Sequence, residues 1–207
     1  MPRKATTSPT TTPKRKAKST TAEQEVINFD APWKGASSDM PFHLVRKMLP
    51  HLYEQLDLTV PPVAIEQALR ARIKGKHLKA LDKLFLFTLL SGEKRGVLLH
   101  IEFESHPRVG MLGFRMHQYF SLLLAQQYEK PRKSRTNQPE PPPLPHDITT
   151  LVIYVGKDIP TVYDRFEYAA FGTRLVFEFN AYCVCMQNEA ELLADPNPIC
   201  IAILANL

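Results

Sequence analysis

Three carboxylates flank two segments with the composition of β-strands, and these acids are the residues of the chain best suited to chemistry. Asp82 precedes the first segment, residues 83–89, and Glu102 and Glu104 lie at the end of the second, residues 97–103. A polar turn bounded by glycines separates the segments, which predicts an antiparallel β-hairpin. Because antiparallel pairing places the start of the first strand beside the end of the second, we expect Asp82 to approach both glutamates.

The alternation of side chains along a strand predicts that His100, Glu102 and Glu104 share one face, while Ile101 and Phe103 point to the other. Carboxylates that converge repel one another unless a cation neutralises them, and hard divalent ions such as Mg²⁺ and Mn²⁺ prefer oxygen ligands. The spacing therefore suggests a metal site. Solvated acids at strand ends are the common alternative, but Glu102 lies within an apolar segment, and this favours the metal interpretation.

Three motifs in this region resemble those of the PD-(D/E)XK nucleases, in particular the recombination-promoting nucleases and putative transposases. The motifs are D-K-L at 82–84, H-I-E-F-E at 100–104 and F-R-M-H-Q-Y at 114–119. D-A-P-W-K at 30–34 looks like the D-x-P-W-K that opens many of these chains. The segments E-L-L at 191–193 and N-P at 197–198 are similar to their C-terminal region, so the resemblance covers about residues 29–207.

This resemblance implies a restriction-endonuclease-like core and cleavage of a DNA phosphodiester bond that leaves a 5′-phosphate. It also implies that Asp82, Glu102 and the backbone carbonyl of Phe103 bind Mg²⁺ or Mn²⁺. Such a metal ion polarises a phosphoryl oxygen and lowers the pKa of its bound water. The candidate catalytic residues are then Asp82, Glu102, Glu104 and Arg115.

Glu104 departs from the family pattern, because the corresponding position is often Lys and is commonly Gln in chains of this type. Glu104 would be a further metal ligand or a base that orients water, but it supplies no positive charge. We expect that charge to come from Arg115, Lys34 or Lys83. Lys83 ranks last because it follows Asp82 directly and points to the opposite face.

A helical pattern at 111–128 places Arg115 and Tyr119 one turn apart on the same face. If the helix follows the second strand, its start lies near the end of that strand, so we expect Arg115 to be close to the acids. A structural salt bridge explains Arg115 as well as a catalytic role does. His100 either steers water or phosphate, or is a satisfied half-buried histidine.

The segment 63–79, whose secondary structure the pattern leaves open, contains the densest basic cluster outside the N-terminal tail. Together with Lys34, the candidate nucleic-acid contacts are Arg70, Arg72, Lys74 and Lys76. Beside a carboxylate–metal site such a cluster would hold phosphates, and a solvated face is an equal alternative.

Composition divides the chain of 207 residues into a basic tail and one domain. Residues 1–28 have almost nothing to bury, so we expect a disordered tail before the domain at 29–207. Residues 1–22 carry six basic residues and no acid, and the whole chain has a net charge of +5, so the remainder has a net charge of −1. Any binding of DNA by the domain would therefore need a local basic patch. We expect a Pro-rich insert at 131–146 to be extended.

Other features bear on the compartment and on the partners. No stretch approaches the roughly 18 apolar residues of a membrane span, and the N-terminus lacks the apolar part of a secretory signal. Three cysteines fit a reducing compartment better than a disulfide framework. We therefore expect a cytoplasmic protein with no membrane partner. The resemblance allows a homo-oligomer, because family nucleases often self-associate.

The remaining pattern predicts an interrupted helix at 40–56, with Asp39 as its N-cap and a break at Pro50. It also predicts strands at 148–155 and 174–184 and a mixed helical end at 189–207. The order helix, hairpin, helix, strand, strand indicates an α/β or α+β fold with a mixed central sheet flanked by helices. The PD-(D/E)XK core has that order.

Three interpretations of the function follow. The first is a metal-dependent DNA endonuclease with Mg²⁺ or Mn²⁺ as cofactor and DNA as partner. The second is a catalytically degenerate nuclease fold that binds nucleic acid or a protein, which Glu104 and the Pro-rich insert favour. A weaker third is a structural protein in which the acids are salt-bridged surface groups. The chain has neither the G-x-x-x-x-G-K-[ST] phosphate loop nor the G-x-G-x-x-G dinucleotide motif.

Overall fold

In the computed structural model, the described residues are 30–65, 81–91, 96–107, 110–129 and 146–207. The helices within these ranges are α1 (Asp30–Asp39), α2 (Pro41–Met48), α3 (Pro50–Tyr53), α4 (Met111–Glu129), α5 (Glu189–Ala194) and α6 (Ile199–Leu204), with a 3₁₀ turn at Val184–Met186. The strands are β1 (Val63–Ala64), β2 (Lys83–Thr88), β3 (Gly96–Glu104), β4 (His146–Tyr154), β5 (Arg165–Ala170), β6 (Thr173–Glu178) and β7 (Asn180–Cys183).

Five of the strands form a mixed central sheet in the order β1-β2-β3-β4-β7. The pairs β1–β2 and β2–β3 are antiparallel, whereas β3–β4 and β4–β7 are parallel. The β2–β3 hairpin pairs Lys83 with Ile101 and Leu84 with His100, which confirms the predicted hairpin and brings the start of β2 beside the end of β3. The described part of the chain is therefore an α/β structure with helices on both faces of a mixed sheet.

Strands β3 and β4 lie in the middle of the sheet, and both of their faces are covered. This explains their nearly continuous apolar sequences, which are typical of parallel strands buried on both sides. Leu99, Ile101 and Phe103 contribute to one core layer, and Leu98 contributes to the other. The predicted alternation along the second strand is thus confirmed.

The two core layers differ in the helices that cover them. The first layer is completed by helices from the two ends of the described chain, with buried side chains Trp33, Leu44, Val45, Ile199 and Ile203. The second is completed by α4, with Leu112, Met116, Tyr119 and Leu123. The β5–β6 hairpin covers part of α4 through aromatic contacts, since Phe166 packs against Phe114 and His117.

Several boundaries differ from the sequence predictions. The single strand predicted at 174–184 is wrong, because β6 and β7 belong to different sheets and are separated at Phe179. There the backbone N–H of Phe179 donates to the carbonyl of Asp164 at 2.8 Å. Asp39 ends α1 and does not cap α2, whose N-cap is Met40. The predicted break at Pro50 is confirmed, because α2 ends before it and α3 begins at it.

Other predictions fall partly or wholly outside the described ranges. The predicted tail at 1–28 and the segment 66–80 lie outside them. The predicted insert at 131–146 is one residue too long at its C-terminal end, because His146 already belongs to β4. None of the helices in the described ranges is long and apolar enough to cross a membrane.

Candidate active site

Asp82 and Glu102 meet where β2 begins and β3 ends. The backbone N–H of Asp82 donates to Oε1 of Glu102 at 3.2 Å, and the backbone N–H of Phe103 donates to Oδ2 of Asp82 at 3.1 Å. Asp82 therefore donates to Glu102 through its backbone and accepts from Phe103 through its carboxylate. Both contacts follow from the hairpin register, because Lys83 pairs with Ile101 and the next residues outward are Asp82 and Glu102.

Glu102 is the most deeply buried of the three acids, with 3% of its side chain exposed. His100, which is fully buried, lies on the same strand face, and its Nε2 is 3.1 Å from Oε1 of Glu102. A carboxylate only accepts hydrogen bonds, so the contact requires the proton of His100 to be on Nε2. Nδ1 of His100 is buried and has no hydrogen-bond partner among the described residues. His100 thus orients Glu102 with one ring nitrogen.

Tyr119 of α4 closes this pocket from the helix side. Its ring meets the His100 ring edge-on, with centroids 5.2 Å apart. Burial raises the pKa of Tyr119 above its ordinary value, and the negative charge of Glu102 raises it further. Tyr119 therefore stays neutral at ordinary pH, and it fits a role in packing the pocket better than a role as a base.

Glu104 is held by Arg115. Nη2 of Arg115 lies 2.7 Å from Oε2 of Glu104 and 3.8 Å from Oε2 of Glu102. Burial alone would lower the pKa of Arg115, but the hydrogen bond to Glu104 and the charges of both glutamates outweigh burial and raise it. The guanidinium therefore remains charged and offsets the two acids. This places Arg115 beside the acids, as the sequence predicted.

Lys34 of α1 provides the second cation of the site. Its Nζ lies 2.6 Å from Oδ1 of Asp82, with 39% of the lysine side chain exposed. The preceding residue, Trp33, is buried and packs against the ring of Phe103. Because Trp33 anchors α1 on β3, the next residue reaches the acid at the start of β2. Sequence spacing did not reveal this contact between Lys34 and Asp82.

The side chains of the site meet the requirements of a divalent metal only in part. Within the described ranges, no group of three or more His, Cys, Asp or Glu side chains is arranged to hold a metal ion. Mg²⁺, however, is commonly bound by one or two carboxylates and keeps several waters. Asp82 is linked to the Glu102 carboxylate through its backbone N–H, and its own carboxylate accepts from the backbone N–H of Phe103. The residue types suit Mg²⁺ or Mn²⁺, which would compete with Lys34 for Asp82.

The structure brings together most of the residues that the sequence singled out. They are Lys34, Asp82, His100, Glu102, Phe103, Glu104, Arg115 and Tyr119. Four others lie outside the described residues, namely Arg70, Arg72, Lys74 and Lys76. Lys83 pairs with Ile101, on the sheet face opposite to Glu102. The predicted role of the basic cluster as a nucleic-acid contact stays a prediction.

Comparisons with protein-family models, with curated proteins and with solved structures gave no match to this chain. What the site does must therefore be inferred from its geometry and from the motifs in the sequence.

Proposed function

We propose that this protein is a metal-dependent endonuclease that hydrolyses DNA phosphodiester bonds, with a core of the PD-(D/E)XK type. One observation carries the proposal. Asp82 and Glu102 are twenty residues apart, and the backbone N–H of Asp82 donates to Glu102 Oε1 at 3.2 Å. The start of β2 is thus joined to a buried carboxylate at the end of β3, and the side chain of Asp82 beside it is 16% exposed.

The order of the described elements supports the same proposal. Helices, an antiparallel hairpin, the long helix α4 and a strand parallel to β3 follow one another. This is the order that the motif resemblance implies for a nuclease core of this family, with the two acids on the hairpin. The sheet-end location also agrees with the general preference of active sites for strand ends and their loops.

Each residue has a distinct task in this proposal. Asp82, Glu102 and the carbonyl of Phe103 would hold Mg²⁺ or Mn²⁺, which supplies Lewis acidity and a bound water of lowered pKa. His100 keeps Glu102 in a single orientation through the 3.1 Å contact. Arg115 offsets the charge of Glu104 and Glu102. The buried position of Glu102 strengthens its electrostatic interactions relative to those in water.

A binding role without cleavage is the second candidate, and one observation favours it. In the described structure, Lys34 neutralises Asp82, and Arg115 neutralises Glu104. The acids are therefore already compensated by side chains of the chain itself. A degenerate nuclease fold that binds nucleic acid or a protein would keep such pairs as structural links.

Plasmid cleavage tests the proposed function. Supercoiled DNA is incubated with the wild-type protein and Mg²⁺ or Mn²⁺, with and without a chelator, beside Asp82→Asn and Glu102→Gln. We expect metal-dependent nicking by the wild type and a loss of about 100-fold or more in each variant. Asp195→Asn is the matched control, because Asp195 also pairs with a lysine, Lys47, at 2.8 Å, outside this site. Equal cleavage by wild type and both site variants would refute the assignment of the site.

Titration calorimetry with Mn²⁺ separates the two candidate functions. The endonuclease requires binding by the wild type, weakened in Asp82→Asn and unchanged in Asp195→Asn. The binding module requires retained DNA affinity with no metal binding. A protein that binds neither metal nor DNA would contradict both candidates and would favour a purely structural role for the acids.

A further inference from the structure

Two cysteine sulfurs are in contact at the end of strand β7. Sγ of Cys183 lies 3.4 Å from Sγ of Cys185, and both cysteines are free thiols. Residues two apart on a strand share a face, which is also typical of thiols that only fill a core. The observed contact goes further, because a disulfide bond of about 2.05 Å would require the two sulfurs to approach by a further 1.4 Å or so, roughly the movement of one side-chain rotation.

The backbone at this contact suits a bond between the two sulfurs. Along an extended strand, residues two apart are separated by about 6.6 Å, which is close to the upper limit of about 6.8 Å between the Cα atoms of a disulfide. Here β7 ends at Cys183, and a 3₁₀ turn begins at Val184. Such a turn rises by only about 2 Å per residue, so it shortens the separation of Cys183 and Cys185.

Hydrogen bonds from Gln187 hold this turn against the strand. The side-chain amide of Gln187 donates to the carbonyl of Cys183 at 2.7 Å, and its backbone N–H donates to the carbonyl of Val184 at 3.1 Å. The two thiols are therefore kept close to each other by the residues around them. Groups held together in this way react with each other at a high effective concentration.

A metal ion held by the two thiols is the alternative interpretation. Zinc sites in proteins use four protein ligands when structural and three when catalytic. Within the described ranges, no group of three or more His, Cys, Asp or Glu side chains is arranged to hold a metal ion. The third cysteine, Cys200, belongs to the other core layer. A pair of thiols without such further ligands favours chemistry between the sulfurs themselves.

The two thiols differ in access and in acidity. Cys183 is 6% exposed and belongs to the core layer that α4 completes, whereas Cys185 is half-buried. Burial raises the pKa of Cys183 to about 11, and the hydrogen bond with Cys185 contributes to the rise. Cys183 therefore keeps its proton at neutral pH. An oxidant that arrives from solvent would meet Cys185 first, and Cys183 would be the second thiol to react.

We propose that Cys183 and Cys185 are a thiol–disulfide exchange site, which forms a reversible disulfide by reaction with a low-molecular-weight disulfide such as oxidised glutathione. This inference does not depend on the proposed endonuclease function. Cys185 loses its proton and attacks one sulfur of oxidised glutathione, whose S–S bond breaks, and the first glutathione leaves and takes up a proton. Cys183 then loses its proton and attacks the Cys185 sulfur of the mixed disulfide, and the second glutathione leaves and takes up a proton. The protein loses two electrons and two protons, and one oxidised glutathione becomes two reduced ones.

The test follows the three thiols of the folded full chain. Wild type, Cys183→Ser, Cys185→Ser and Cys200→Ser are equilibrated without oxygen at several ratios of reduced to oxidised glutathione. Each sample is quenched with acid, the remaining thiols are alkylated, and mass spectrometry identifies the state of each cysteine. Cys200→Ser is the matched control, because Cys200 is 1% exposed and lies in the other core layer. Circular dichroism checks that each variant is folded.

We expect wild type and Cys200→Ser to form the disulfide between Cys183 and Cys185, and an excess of reduced glutathione to reverse it. Cys183→Ser should stop at the mixed disulfide of Cys185 with glutathione, because the second thiol is missing. In Cys185→Ser, Cys183 should react more slowly than Cys185 does in Cys183→Ser, by about 10-fold or more, because burial shields its sulfur.

A second measurement needs no variant. At one glutathione ratio, the equilibrium constant for the disulfide in wild type should be higher in the folded chain than in denaturing urea, by about 10-fold or more, because folding holds the sulfurs in contact. Equal values would overturn the proposal. So would a folded wild type that keeps both thiols at every ratio, as core thiols would, or one in which the mixed disulfide on Cys185 never passes to Cys183.

Discussion

The indole of Trp33 packs against the ring of Phe103 with their centroids 6.4 Å apart and their planes inclined by 32°. This contact joins two segments that are far apart in sequence and that each carry site residues. Lys34 follows Trp33, and Phe103 lies between Glu102 and Glu104. A packing contact in the core therefore helps to set the position of the polar groups of the site.

Replacement of Trp33 tests that relationship. The side chain is 1% exposed, so Trp33→Ala should lower the free energy of unfolding by about 3–5 kcal/mol. Trp33→Phe should cost less, since it leaves a smaller cavity and removes an indole N–H that is buried with no partner among the described residues. Urea unfolding followed by circular dichroism measures both. A Trp33→Ala protein as stable as the wild type would show that α1 is not anchored through this residue.

Gly35 offers a substitution that should strengthen α1. It lies within the helix, and an added Cβ would meet nothing within 4 Å. Gly35→Ala removes conformational freedom from the unfolded chain and should therefore stabilise the protein by about 0.5–1 kcal/mol. Thermal unfolding measures the change. A decrease in the midpoint would mean that α1 is not helical at this residue.

Gly156 should respond in the opposite direction to the same change. An added Cβ there would collide with the backbone carbonyl of Ser105 and would lie 2.8 Å from Cδ1 of Ile159. Ser105 follows Glu104 directly, so the collision would push β3 and β4 apart at the site. We expect Gly156→Ala to lower the free energy of unfolding by about 1–3 kcal/mol. Stability equal to that of the wild type would contradict the close approach of these two backbones.

Local patterns explain which parts of this arrangement the sequence could predict. The β2–β3 hairpin, the shared face of His100 and Glu102 and the approach of Arg115 all follow from periods of two or four residues and from one short turn. Such relationships need no knowledge of the rest of the fold. The sequence also predicted the mixed central sheet.

Contacts between distant segments explain what could not be predicted. Helix α1 has Gly35 and two serines and only weak amphipathic character, so nothing in it marks a helix. The ion pair of Lys34 with Asp82 joins α1 to the start of β2, two segments that are far apart in the sequence. No short spacing of residues predicts such a pair. Likewise, β6 and β7 are separated by one residue only, so the sequence resembles one continuous strand. Their separation depends on the bond from Phe179 to Asp164, which belongs to a different part of the chain.

The pair formed by Arg115 and Glu104 makes a prediction about stability. Arg115→Met would leave Glu104 and the buried Glu102 without their cation, and loss of one partner from a buried pair costs about 3 kcal/mol or more. Glu104→Gln should cost less, because the amide oxygen can still accept from Arg115. Urea unfolding of both single variants and the double variant gives the coupling energy. Additive effects would contradict a direct interaction between the two side chains.

Lys47 and Asp195 join α2 to the C-terminal helices and make a prediction about acid stability. The pKa of Asp195 is lowered from 3.8 to about 2, chiefly by the hydrogen bond from Lys47. The folded protein therefore binds this proton less tightly than the unfolded chain does, so the stabilisation is complete above about pH 4 and is lost as the pH falls towards about 2. The pair is partly exposed, so its contribution to the free energy of unfolding is on the order of 1 kcal/mol.

Urea unfolding of wild type and Asp195→Asn should show a difference in the free energy of unfolding at about pH 5 that shrinks towards about pH 2. A difference that stays constant over this range would mean that the pair does not govern the ionisation of Asp195.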